Sequence, residues 1–170
     1  MPRPGPAAAS GTAPSDWPPG LLALFAARRV EMTRLAHIVT GSNAVAEDLV
    51  QEAFVRLRRH WDDVADPPPY LRQIVMNLAR THLRHQRVVL RHAERHAAED
   101  EAGRGPTGDP EVDDTWTALR RLPPRQRAVL ALRFYEDLPV AEIAAVLGCR
   151  VGTVKSNLHR GLAKLRKELS

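Results

Sequence analysis

The feature that most constrains the fold is a helical periodicity of apolar residues at the C-terminal end. Apolar residues recur there at steps of three and four: Val151, Val154, Leu158, Leu162, Leu165 and Leu169. That spacing lines one face of a helix and does not fit the two-residue alternation of a strand. No other stretch alternates like a strand, and aromatic residues make up only 5% of the chain. The sequence therefore predicts an all-α protein.

Two segments without such periodicity divide the 170 residues. Residues 1–19 are rich in Pro, Ala, Gly and Ser, which predicts a disordered tail. Residues 97–112 are rich in acidic residues, Gly and Pro, a composition typical of a solvated linker. We therefore predict two small helical domains, residues 20–96 and residues 113–170, joined by a flexible acidic linker.

Cysteine content and hydropathy limit the cellular compartments in which the protein is expected. Cys149 is the single cysteine, which excludes an internal disulfide and any zinc site needing two thiolates, and fits a reducing compartment. The apolar run at residues 21–27 is far shorter than a membrane span, and the N-terminus lacks the pattern of a secretory signal. We expect a cytoplasmic protein with no membrane insertion. The net charge of +5 weakly favours a polyanionic partner.

No catalytic pattern is present in the sequence. It contains no glycine-rich phosphate loop, no nucleophile elbow and no paired-carboxylate pattern. His92 and His96 are spaced four apart on a predicted helix, but no third metal ligand is evident. We therefore expect no metal site, no cofactor and no enzymatic activity.

Residues 140–160 have the form of a helix-turn-helix. A short helix with Ile143 and Leu147 facing inward ends at Gly148, which suits a left-handed C-cap, and a basic helix follows the turn. Opposite the apolar stripe of that second helix, or beside it, are Thr153, Lys155, Ser156, His159, Arg160 and Lys164. Such side chains suit phosphate oxygens and guanine edges in a DNA major groove. The alternative is an ordinary amphipathic helix with a solvated face, but the absence of acids on the outer face favours DNA.

The helix predicted over residues 69–96 is strongly basic. Glu94 is the only acid between Arg72 and Arg95. Solvated helices normally mix charges of both signs, so this face favours contacts with nucleic-acid phosphates over simple solvation. Tyr70 at its start is suited either to stacking on an exposed base or to the core.

Together these motifs resemble bacterial RNA polymerase sigma factors of the extracytoplasmic-function group (group IV). Three regions carry the resemblance, in this order: AEDLVQEAFVRL at 46–57; YLRQIVMNLARTHLR at 70–84; and LPPRQRAVL at 122–130 with AEIAAVLG at 141–148 and GTVKSNLHR at 152–160. The resemblance implies a factor that binds core RNA polymerase, recognises promoter DNA, melts it and so starts transcription. It also implies an anti-sigma protein as a further partner.

The resemblance suggests roles for particular residues. The resemblance assigns docking on the clamp of the largest polymerase subunit to Asp48, Gln51 and Phe54. Glu52 lies on the same exposed face as Asp48, whereas the helical wheel buries Phe54. For recognition of the −10 element the resemblance indicates Asn77, Arg80 and Arg84, and the basic helix itself adds Tyr70 and Arg87. For recognition of the −35 element it indicates Lys155, Ser156, His159 and Arg160, and the helical wheel adds Thr153 and Lys164.

The residues by themselves leave two other interpretations open. A stand-alone helix-turn-helix regulator would bind operators as a dimer. An RNA-binding protein or nuclease would use the Arg- and His-rich helix.

Overall fold

The computed structural model describes residues 16–96 and 114–170, and every regular element in these ranges is helical. The predicted linker and the first 15 residues of the predicted tail lie outside the described residues. Seven α-helices are present in the described ranges: α1 (Pro19–Thr40), α2 (Asn43–Arg59), α3 (Pro67–His96), α4 (Asp114–Arg120), α5 (Pro124–Leu130), α6 (Val140–Leu147) and α7 (Val151–Leu169). The all-α prediction is therefore confirmed. We call residues 16–96 the N-terminal lobe and residues 114–170 the C-terminal lobe.

A sharp turn separates α1 from α2. Gly41 adopts a left-handed conformation with φ of 79°, and its N–H donates to the His37 carbonyl at 2.8 Å. Ser42 then caps α2, because its hydroxyl accepts a hydrogen bond from the Val45 N–H at 3.4 Å. The two helices consequently pack side by side, and α2 buries one apolar stripe: Ala46, Val50, Ala53, Phe54 and Leu57.

The N-terminal lobe includes residues that precede the expected start at residue 20. Trp17 is buried, and its ring lies edge-on to Phe25 at a centroid distance of 5.7 Å. Phe25 in turn lies 4.9 Å from Phe54. These aromatic contacts fix the beginning of α1 on α2.

Helix α3 begins in the proline run at residues 67–69, where missing N–H groups cost nothing because a first helical turn leaves them unpaired. Leu71, Val75 and Ala79 are fully buried. From residue 84 to residue 93 every side chain is exposed. The first half of α3 therefore belongs to the core and the second half projects a basic surface.

The C-terminal lobe contains the predicted helix-turn-helix. Helix α6 ends at Gly148, whose φ is 59°, and α7 begins three residues later at Val151. A π-helical turn, Ala131–Tyr135, extends α5. Helices α5 and α7 approach closely at Gly161, where a Cβ would lie only 3.2 Å from Leu130 Cδ1. Ile143 and Val154 are fully buried and hold the two helices of the motif together.

The two lobes pack against each other. Helix α1 contacts α5 and the π-helical turn, and α3 contacts α6. The His37 ring of α1 stacks on Trp116 of α4 at 4.4 Å. One cluster of buried residues consequently includes side chains from both lobes, such as Val39 and Val129. The sequence did not predict this packing.

Candidate nucleic-acid interface

The outer face of α7 is the first candidate DNA-binding surface. Lys155, His159, Arg160 and Lys164 are exposed there. The Arg160 guanidinium donates to the Ser156 hydroxyl and also approaches the Ser156 carbonyl at 3.4 Å. Because Val154 anchors α7 in the core, these polar groups are presented from a rigid helix. They are the donor types that bind phosphates and guanine edges.

The first turn of α7 is arranged differently from the wheel prediction. Thr153 is half-buried and does not lie on the outer face; it lines a cleft between the lobes. The Asn157 side chain donates to the Thr153 carbonyl at 2.8 Å, so one of its amide hydrogens is used within the helix. The helical wheel could not predict this position of Thr153, because it represents a single helix and not the lobe that packs against it.

The basic face of α3 is the second candidate surface. Arg80 is half-buried, and Arg84 and Arg87 are exposed. Asn77 lies one turn earlier, also exposed, and its side-chain oxygen accepts from the Gln73 amide at 3.3 Å. Tyr70 is 37% exposed at the start of the helix. An aromatic ring, an amide and three guanidinium groups are thus accessible along one helix.

A cleft of about 170 Å³ brings parts of these two surfaces together. Its walls include Arg80, Arg84 and Arg87 of α3, Arg125 of α5, and Gly148 and Thr153 of the helix-turn-helix. Within residues 16–96 and 114–170, no carboxylate forms an ion pair with any of these four arginines. The cleft is therefore strongly cationic. Lys155, His159, Arg160 and Lys164 are not among the residues that line it.

The predicted docking residues on α2 differ in accessibility. Asp48 and Gln51 are exposed, and Glu52 is half-buried and pairs with Arg56 at 2.7 Å. Phe54 is 0% exposed, so its direct contact with a partner is corrected to a structural role. It packs between Trp17 and Phe25 and holds α2 in place.

Sequence reasoning missed the part of this face that α1 supplies. Gln51 lines a hollow together with Phe25 and Val30 of α1. Val30 is 53% exposed, which leaves an apolar side chain open to solvent beside the α2 carboxylates. The mixed spacing of apolar residues in α1 gave no signal for which of them would stay exposed.

Two charged groups between the lobes were also missed. Glu136 accepts from Arg72 Nε at 2.7 Å and from Arg28 Nη2 at 3.3 Å. The buried Arg127 guanidinium lies beside Gly41 of the other lobe. Burial lowers the pKa of Arg127, and the positive charge of Arg120 lowers it further. The residues that form each of these contacts are far apart in sequence, so no local sequence pattern predicts the contacts.

The described ranges hold no other obvious chemical centre. Within them no three His, Cys, Asp or Glu side chains gather as metal ligands would. None of the helices described combines the length and apolar content that crossing a bilayer requires.

The sequence matches two known protein families. Residues 24–89 match the family described as sigma-70 region 2, and residues 113–165 match the family described as sigma-70, region 4. The N-terminal match includes α2 and most of α3, and the C-terminal match includes the helix-turn-helix.

Individual proteins extend these matches over most of the chain. An RNA polymerase sigma-E factor of Streptomyces avermitilis is 34% identical over 155 residues, covering 84% of this chain and 80% of the relative. The ECF RNA polymerase sigma factor SigL of Mycobacterium tuberculosis is 31% identical over 154 residues, covering 86% and 87%. The sigma factor RpoE of Bartonella quintana, solved in complex with the anti-sigma factor NepR, superposes with a TM-score of 0.67 at 22% identity over 86% of this chain and 94% of that one. That structural likeness supports the fold.

Proposed function

Because this chain belongs to the extracytoplasmic-function group of RNA polymerase sigma factors, we propose that α2 binds polymerase, α3 binds the −10 element and α7 binds the −35 element. It acts as a sigma factor: it binds core RNA polymerase and directs promoter recognition and the start of transcription. The proposal assigns that activity to particular surfaces. A stand-alone operator-binding regulator is not favoured, since both matched regions are sigma-factor regions.

One observation carries the assignment. A single chain presents a face of mixed charge on α2 and α1, where carboxylates of α2 lie near the apolar Val30 and near Arg29 and Arg34, together with two cationic faces on α3 and α7. A protein that recruits an enzyme to DNA needs separate surfaces for the enzyme and for the polyanion. A face of mixed charge suits a protein partner, and a cationic face suits the polyanion.

For the −35 element, α7 is the recognition helix. A major groove about 12 Å wide admits one α-helix. We assign base-edge contacts to Arg160, held by Ser156, and backbone contacts to Lys155, His159 and Lys164. We assign a phosphate contact to the hydroxyl of Thr153, which lies in the first turn of α7 and lines the cleft between the lobes.

For the −10 element, α3 follows the separated strand. We assign phosphate contacts to Arg80, Arg84 and Arg87, and contacts with an unpaired base to Asn77 and Tyr70. Capture of an unstacked base by stacking and hydrogen bonds offsets part of the few kcal/mol that unstacking costs. The boundaries of the two domains, predicted at residues 20–96 and 113–170 with the acidic segment 97–112 between them, are proposed with the first domain starting at residue 16, because Trp17 packs in its core.

The family also suggests what surrounds this activity. Sigma factors are initiation factors and not catalytic enzymes, and we propose that this chain has no reaction of its own. It works in the cytoplasm, where core polymerase acts. An anti-sigma protein is a further proposed partner, as for the relative solved with NepR.

Charge reversal on α2 tests the docking face. Asp48→Arg is expected to lower the affinity for purified core polymerase at least tenfold, because it reverses the charge of an exposed carboxylate on this face. Asp62→Arg, the same change at an exposed acid in the 3₁₀ turn after α2, is the matched control and should bind like the parent. Binding is measured by co-purification and fluorescence anisotropy. Equal affinity of Asp48→Arg and the parent chain would refute the docking assignment.

A further inference from the structure

The C-terminal lobe places one carboxylate between two arginines of the N-terminal lobe. Arg72 Nε and Arg28 Nη2 reach the same oxygen, Oε2 of Glu136, at 2.7 and 3.3 Å. The Glu136 side chain is only 5% exposed, and that of Arg72 is 13% exposed. Water and salt screen a charge so enclosed only weakly, and each hydrogen bond to it is strengthened by charge. The cluster therefore ties the lobes together, unlike a solvated surface pair.

Further contacts between the lobes follow α3 from this cluster to the helix-turn-helix. The Gln73 amide donates to the Val146 carbonyl at 2.8 Å. That carbonyl lies at the end of α6, where intrahelical partners run out. Two turns further along α3, Arg80 Nη1 lies 3.8 Å from the position that a Cβ on Gly148 would take. One side of α3 is thus in contact with the recognition motif of the other lobe.

This packing covers part of the proposed DNA-binding surfaces: Arg80 of α3 and Thr153 of α7 are half-buried there, whereas the outer face of α7 stays exposed. Arg80, Arg84 and Arg87 face the turn of the helix-turn-helix and Thr153 across a cleft of about 170 Å³. On this side the side chains of α3 and the first turn of α7 face each other and not open solvent. The major groove has to accommodate the whole recognition helix. DNA can therefore reach the sides of α3 and α7 that line the cleft only when the lobes separate.

Two features oppose the closed arrangement. Four arginines face one cleft without a carboxylate partner in the described ranges. Arg127 is only 7% exposed, and its Nε has no acceptor among the described residues. Its Nη1 lies 3.4 Å from where a Gly41 Cβ would be, so the N-terminal lobe contributes to its burial. Separation of the lobes would return this cation to water, which favours opening.

We propose that Glu136, together with Arg28 and Arg72, is a latch that holds the free protein closed with its two cationic DNA-binding faces partly covered. Release of the latch separates the lobes and exposes both faces. The closure stands on the geometry alone; its consequence for DNA rests on the proposed function. The closed and open states are two arrangements of the lobes, and a single buried ion cluster shifts the equilibrium between them.

The test measures the distance between the lobes in the full chain, without polymerase or DNA. Fluorophores are placed at Ala65→Cys and Ala163→Cys, one exposed residue in each lobe, with Cys149→Ser removing the native thiol. The parent is expected to show mainly one short distance by single-molecule energy transfer. Glu136→Gln is expected to raise the ratio of open to closed molecules about tenfold. Arg72→Gln, which removes a donor from the opposite lobe, is expected to act in the same direction.

Asp137→Asn is the matched control. It removes the same charge from the next residue, whose side chain is 97% exposed, and asparagine tolerates the left-handed φ of 51° found there. It should leave the distance unchanged. Arg127→Met, which removes the buried cation, is expected to lower the open fraction.

Two results would overturn the latch: unchanged distances in folded Arg72→Gln and Glu136→Gln, or equal opening in Asp137→Asn. Should Glu136→Gln fail to fold by circular dichroism, Arg72→Gln decides. A second readout is the affinity of the labelled proteins for duplex DNA, expected to rise in the opened variants. Opening without that rise would support the latch and count instead against the proposed DNA-binding faces.

Discussion

Glu168, near the end of α7, forms an ion pair at one edge of the C-terminal lobe. Its carboxylate accepts a hydrogen bond from Arg121 Nη1 at 2.6 Å. That bond is the largest influence on the pKa of Glu168 and lowers it; desolvation raises the pKa by less than the bond lowers it, and the positive charges of Arg121, Lys164 and Lys167 lower it further. The pair ties α7 to the turn that follows α4.

The sign of the pH effect follows from the lowered pKa. The stabilisation is fully present above the ordinary pKa of glutamate and is lost as pH falls through the lowered folded value. We expect the Glu168 carboxyl carbon, followed by NMR, to titrate below the ordinary pKa of glutamate. Arg121→Gln should return its midpoint towards that ordinary value, whereas Arg133→Gln, a control whose guanidinium bonds Leu138 elsewhere in the lobe, should not. An ordinary midpoint in the parent chain would contradict the role of Arg121.

Burial also decides which predicted residues can touch a partner. The family resemblance selected both Asp48 and Phe54 on α2, but the structure exposes the first and buries the second completely. The helical wheel separated them in the same way, because burial of an amphipathic helix follows its own periodicity. By contrast Thr153 was misplaced, since its surroundings are set by the other lobe.

At the scale of elements, the turn of the helix-turn-helix depends on Gly148. Its φ of 59° is left-handed, and its N–H closes the end of α6 on the Ala145 carbonyl at 3.2 Å. A side chain in this conformation costs about 1–2 kcal/mol. The angle between α6 and α7, and so the presentation of the recognition helix, depends on this residue.

We therefore expect Gly148→Ala to lower the free energy of unfolding by about 1 kcal/mol. Gly152→Ala is the matched control, because Gly152 lies in α7 and a Cβ there meets nothing within 4 Å. It should be neutral or stabilise the protein by up to about 1 kcal/mol through helix propensity. Urea unfolding followed by circular dichroism measures both. Equal effects of the two substitutions would argue against the strained turn.

Helices α2, α3 and α7 were predictable because each carries its own periodic stripe and its own end signals. The stop at Gly148, the cap at Ser42 and the start of α3 in the proline run all follow from local backbone chemistry. The basic face of α3 was visible for the same reason. The exposure of its second half was not predictable in this way, because that half contains Val88, Val89 and Leu90 and the structure leaves all three exposed.

At the scale of the whole molecule, the relation between the lobes could not be predicted. Arg72 and Glu136 are 64 residues apart, and Arg28 and Glu136 are 108 apart. Single arginines and glutamates on helix surfaces normally face solvent, so nothing in the sequence distinguishes these three. Their pairing becomes visible only when α1, α3 and the π-helical turn are seen in contact. The resulting molecule carries its proposed polymerase-docking face outside and part of its proposed DNA-binding surface between the lobes.

Every surface assigned above serves one activity, the redirection of core polymerase by the full chain. The measurement is the mapping of RNA 5′ ends made in vitro by purified core polymerase on a genomic template library, with and without the chain. We expect new start sites that share upstream elements, and Arg160→Ala should weaken their use by about 1–3 kcal/mol in promoter affinity. Identical start sites with and without the chain would contradict the account.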